Sequence, residues 1–149
     1  MLLAPLAAGA AACRFQAGAG LAFGTYDILA RAARDTQATV TVICDGTGTA
    51  QSVSLMLRVG PGANAASVHA RRMRHAGGAP ATLAYGLYRD PARSSAWGTS
   101  TGVDTLGATL MVPASGSASA SFVLYGRMPP GQDVHVGTYT DAVQVTIDY

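Results

Sequence analysis

The sequence predicts an all-β fold, a β-sandwich of the immunoglobulin-like kind, on three observations. All ten basic residues are Arg and all eight acidic residues are Asp, so the chain lacks Lys and Glu, the strong helix formers that usually coat exposed helices. Its 18 Gly and 7 Pro make up 25 of 149 residues, more than the usual ~12%. Apolar residues recur at period two in several short runs separated by turn signals. The length suits one domain, able to bury roughly 70% of its unfolded surface. With 49% hydrophobic and 12% charged residues, the composition excludes a disordered chain or a coiled coil. A net charge of +2 is far from the dense basic footprint of a nucleic-acid binder.

Taken in order, residues 1–12 read MLLAPLAAGAAA, an apolar stretch too short to span a membrane, which needs ~20 residues. With its small residues at the end, the stretch matches the hydrophobic core and cleavage site of a secretory signal without the basic leading region. The expected mature domain is therefore 13–149, in an oxidising compartment. Two cysteines there favour a Cys13–Cys44 disulfide over acylation of Cys13 or two unpaired thiols. The Gly-rich AGAGLAFG at 17–24 lacks the preceding strand and following Lys-Ser/Thr of a phosphate loop and reads as a flexible approach to the first long strand. Ile28–Arg34, ILARAAR, alone carries helix formers, enough for about two turns.

QATVTVIC from Gln37 to Cys44 alternates, with Ala38, Val40, Val42 and Cys44 on one face. Asp45-Gly46 is a turn dipeptide, and SVSLMLR repeats the pattern with Val53, Leu55 and Leu57 inward, so the two runs are expected to form a hairpin or a neighbouring pair. Arg71, Arg72 and Arg74 with His69 and His75 form the one basic cluster, better suited to a solvated loop or edge strand than to anion binding. ATLAYGLY, from Ala81 to Tyr88, sets Leu83, Tyr85 and Leu87 on one face before Pro91 ends the run. Trp97 is expected in the core rather than on a sugar-binding surface. A strand from Ser117 to Tyr125 ends at Gly126. The final GTYTDAVQVTIDY alternates most regularly, with Tyr139, Val143, Val145, Ile147 and Tyr149 facing one way.

Motifs for catalysis are lacking: there is no G-x-S-x-G elbow, and His69, His75 and His135 have neither a paired carboxylate nor metal-ligand spacing. The reading is a non-enzymatic protein with no cofactor and no metal.

The ordered set Cys13, Phe23-Gly24-x-Tyr26-Asp27, Cys44-Asp45-Gly46, Arg72-Met73, Leu83-x-Tyr85-x-Leu87-Tyr88-x-Asp90, Trp97-Gly98, Tyr125-Gly126-Arg127 and the alternating ending from Gly137 to Tyr149 resembles the spore coat protein U domain family, which includes subunits of archaic chaperone-usher pili. The resemblance implies an incomplete sandwich whose last strand is missing, leaving a groove along the C-terminal strand flanked by Tyr139, Val143, Val145, Ile147 and Tyr149. It implies three partners, namely a periplasmic pilus chaperone, an outer-membrane usher and a neighbouring pilus subunit, with neither nucleic acid nor a membrane span, and export through the periplasm to the cell surface. Such a strand-deficient edge is completed by β-strand addition. With 1–12 taken as signal, the chain accepts a strand and gives none, which suits a tip or terminal position. The competing expectation is a self-sufficient secreted β-sandwich adhesin or glycan-binding module that uses Trp97 and the exposed loops.

Overall fold

A computed structural model describes residues 11–16 and 20–149. The expected signal at 1–12 therefore lies almost wholly outside the described residues. The described chain is all strand and loop: β1 (Ala12–Phe15), β2 (Arg34–Asp45), β3 (Gln51–Val59), β4 (Arg72–His75), β5 (Thr82–Ala84), β6 (Gly86–Tyr88), β7 (Leu106–Val112), β8 (Ser117–Met128), β9 (Tyr139–Thr140) and β10 (Val145–Asp148). One sheet runs β1-β2-β8-β6, a second β10-β3-β7, and a small third β5-β4-β9. Every pairing is antiparallel.

The first two sheets face each other because their alternating rows demand it. Val42, Cys44, Phe122, Leu124 and Met128 from the first sheet meet Val53, Leu55, Leu57, Val59 and Val112 from the second, all buried. Polar partners of the same strands point outward, as period two requires. Trp97, fully buried, closes the core edge-on to Phe122 with ring centroids 6.3 Å apart.

Cys13 and Cys44 lie opposite each other in the β1–β2 ladder and are joined by a disulfide. With 31 residues of sequence separation, that closure stabilises the fold by about 3 to 4 kcal/mol in the chain-entropy account. Chemical denaturation of a Cys13→Ala/Cys44→Ala variant is expected to show a loss of that size. A loss below about 1 kcal/mol would show that the β1–β2 ladder suffices without the bridge.

Five local expectations are corrected. The β2 and β3 runs are not paired: they lie in different sheets, each burying its own apolar row from opposite sides. The Asp45-Gly46 turn serves as a corner between sheets, where Gly46 N–H donates to Gly116 O (2.8 Å) and Gly48 N–H to Ala114 O (2.9 Å) of the β7–β8 corner. Only glycine fits at position 46, since a Cβ would strike the Pro113 carbonyl.

Ile28–Arg34 forms no helix. The Asp27 carboxylate takes the Leu29 N–H (2.9 Å) and the Asp27 carbonyl the Ala30 N–H (3.2 Å), a local turn that competes with helical bonding. Arg34 already opens β2.

β8 does not stop at Gly126 but runs on to Met128. Gly126 leaves room for Phe23 and Leu21, each with an atom 2.8 Å from where its Cβ would stand. The continuous ATLAYGLY strand is two strands in different sheets, although Leu83, Tyr85 and Leu87 are all buried together as the alternation requires.

The final alternating run is likewise divided, β9 pairing with β4 and β10 with β3. Asp141 turns its carboxylate onto the 62–64 loop, accepting from Ala63 N–H (3.0 Å), Asn64 Nδ2 (2.9 Å) and Ala142 N–H (2.9 Å). Gly62 lies against that carboxylate at φ +93°, a conformation and a closeness that exclude a side chain.

Candidate strand-acceptor groove

The ladder leaves two edges facing each other. β1 covers β2 only from Val42 to Asp45, and one further bond runs from Gln16 N–H to Thr41 O (2.8 Å). From Arg34 to Val40 that edge carries no backbone ladder among the described residues. Residues 20–24 pass beside it, held by side chains: Thr36 Oγ1 donates to Ala22 O and Arg34 Nε to Phe23 O, both at 2.8 Å. Opposite runs the C-terminal segment, with β9 bound to β4 and β10 to β3 on one side only. Strands with unpaired edges are places where another chain can add.

Between these edges lies a cleft of about 370 Å³. Leu124, Leu87, Tyr85 and Met73 are among its lining residues, with Ala38 and Val40 from β2 and Tyr139, Val143 and Val145 from the C-terminal segment. At Phe23, Met73 and Tyr139 it joins a wider cavity of about 960 Å³ that reaches Met128, Leu83 and Val134. Phe23 stands edge-on to Tyr85 with centroids 5.8 Å apart.

Of the five C-terminal residues expected along the groove, Tyr139, Val143 and Val145 line this cleft. Ile147 shares their face and packs on the core beyond the lining, whereas Tyr149 is 62% exposed and stands outside it. The expectation passed over Asp141, which has the same parity as Tyr139 and Val143 and lines the cleft between them. Period two alone was signal enough to place it there.

Asp141 Oδ2 accepts from the Tyr85 hydroxyl at 2.5 Å. Burial, followed by that hydrogen bond, raises the Tyr85 pKa above the usual phenol value. Behind them, Arg71 is fully buried, which corrects the expectation of a solvated basic loop at that residue. Its guanidinium donates to Gly60 O (2.9 and 2.7 Å), Val59 O (2.9 Å), Trp97 O (2.6 Å) and Val68 O (3.0 Å). Burial lowers its pKa, while Tyr85 and Asp141 oppose that shift.

The basic cluster is thereby dispersed: Arg72 and Arg74 are exposed on β4. His75 is held between the Gly77 N–H (3.0 Å) and the Val136 carbonyl (2.8 Å). Burial of Trp97, with Nε1 donating to Leu57 O at 3.0 Å, removes the aromatic surface on which a glycan-binding module depended.

On the outer face, Arg127 grips Asp35 with two bonds of 2.7 and 2.8 Å, which lower the carboxyl pKa of Asp35. In the β6–Trp97 loop, the Ser94 hydroxyl followed by the Ser95 N–H holds Asp90 at a pKa of about 2. Both are surface pairs that shape loops and strand edges away from the cleft.

The two main sheets thus form an immunoglobulin-like sandwich with a cleft between the unladdered edge of β2 and the C-terminal segment. The chain belongs to the Spore Coat Protein U domain family, whose model matches residues 2–146. It is 37% identical over 149 residues to Protein U of Myxococcus xanthus, an alignment that covers 93% of this chain and 78% of that protein. Among solved structures, its fold is similar to a chain of the CsuC-CsuE chaperone-tip adhesion subunit pre-assembly complex from archaic chaperone-usher Csu pili of Acinetobacter baumannii. That likeness has a TM-score of 0.62 at 17% identity and covers 94% of this chain, which spans about 40% of the length of the solved one. No helix among the described residues is long and apolar enough to cross a membrane.

Proposed function

We propose that this protein is a structural or terminal (tip) subunit of a secreted chaperone-usher surface pilus, assembled by donor-strand exchange and serving adhesion or biofilm formation. The observation that carries the reading is the cleft between the unladdered Arg34–Val40 edge of β2 and the free edge of the C-terminal segment, lined by Val40, Leu124, Tyr139, Val143 and Val145. A periplasmic chaperone fills the cleft first, and the strand of a neighbouring subunit replaces it at the outer-membrane usher. Residues 1–12 act as the export signal and 13–149 as the pilin domain. The role is one of binding and assembly, with Tyr139, Val143 and Val145 lining the cleft and Ile147 and Tyr149 continuing the same row beyond it.

The test is thermal unfolding of the full chain with and without a donor strand from a candidate partner subunit linked to its C-terminus. An added strand that buries several apolar side chains is expected to raise the midpoint by about ten degrees or more. An unchanged, high midpoint would mean that the sandwich is complete in itself, and the pilus reading would fall.

A further inference from the structure

The groove-facing row Tyr139, Asp141, Val143, Val145 has one carboxylate in an otherwise apolar series. The groups around it are donors, and the hydrogen-bonding capacity left over is all acceptor. Asp141 Oδ1 takes three donors, but Oδ2 takes only the Tyr85 hydroxyl, and a carboxylate oxygen can accept more than one bond. The Tyr85 oxygen donates to Asp141 and accepts nothing among the bonds above, although a phenol oxygen can also accept. Both residues line the cleft. A strand laid over the cleft shuts bulk water out, and an apolar side chain offers these atoms no hydrogen bond.

Resting on the strand-acceptor reading, we propose that the groove selects an extended strand whose inward residue beside Asp141 is a neutral hydrogen-bond donor, a hydroxyl or side-chain amide, with apolar residues inward on either side. The flanks set the rest of the pattern. Toward β10 the lining is Val40, Leu87, Leu124 and Val145, and toward the wider cavity it is Phe23 and Met73. A strand alongside places one inward side chain about 5 Å, Cβ to Cβ, from that of Asp141, within reach of a short donor, and a one-residue slip turns its whole inward set outward. A cation is disfavoured because the buried Arg71 already offsets the Asp141 charge from behind, and like charges in a water-poor groove repel strongly. The polar step thus fixes register, much as a lone buried polar residue does in a helical seam.

The experiment titrates the full chain with fluorescent synthetic strands of about nine residues, long enough to span roughly 30 Å. Inward positions carry Val throughout, or Thr at one position in turn, with outward positions held polar. At the preferred position, O-methylthreonine and Lys are also tried. Thr at a single inward position is expected to tighten binding about tenfold over the all-Val strand, with O-methylthreonine and Lys losing that gain. If the all-Val strand binds as tightly as every Thr strand, or O-methylthreonine matches Thr, the selectivity is overturned while the groove still accepts strands. Lys binding as tightly as Thr overturns the neutral-donor requirement. If none of the strands binds, the strand-acceptor reading itself falls.

Discussion

Replacing Arg71 with Met is expected to cost about 3 to 5 kcal/mol of stability, seen as a large fall in the chemical-denaturation midpoint. Arg71 is fully buried and serves the carbonyls of Val59, Gly60, Val68 and Trp97 at once. Met fills similar space but donates to none of them, so several carbonyls lose their donor inside the fold. Arg71→Lys is expected to recover little, because an ammonium cannot reproduce the planar fork that spans these acceptors. A Met variant within about 1 kcal/mol of the parent would show that the carbonyls find other donors and that the guanidinium is dispensable.

Trp97→Ala carries the second large effect, about 3 to 5 kcal/mol, from the cavity left by a fully buried indole and from the Leu57 carbonyl that loses its Nε1 donor. The Trp97 carbonyl is one of the Arg71 acceptors, so the two sites share a network. The double variant Arg71→Met/Trp97→Ala is therefore expected to lose less than the sum of the single variants. Strict additivity in a double-mutant cycle would mean that the two residues act separately.

The faces of the strands were legible in the chain because period two survives any arrangement of partners. Val40, Val42 and Cys44, then Val53, Leu55 and Leu57, then Leu83, Tyr85 and Leu87, all point as their alternation requires. Partners were not legible, since alternation gives a face and not a neighbour. Asp45-Gly46 reads equally well as a hairpin turn or as a corner, and only the packing of Gly46 against the Pro113 carbonyl decides between them.

The same distinction governs the groove. Tyr139, Val143 and Val145 could be placed on one face from sequence, but the division of the strand depends on the 62–64 loop reaching the Asp141 carboxylate, a contact across 77 or more residues. The parity of Asp141 was visible, but its partners were not. Arg71 was hidden for a related reason: beside Arg72 and Arg74 it looks like surface charge, and its satisfaction comes entirely from backbone carbonyls that leave no trace in composition.

The Cys13–Cys44 bridge also sets the route that tension takes through the molecule. A pull applied at Cys13 crosses the sulfur bond directly to Cys44, next to the last residue of β2, and passes on along the chain from there. The four-residue β1 ladder is bypassed as a weak link. Residues 14–43 lie within the covalent loop and stay slack, and among them are Phe23, Ala38 and Val40 of the groove wall. A strand seated in the cleft thus rests against walls that do not stretch when the chain is drawn taut.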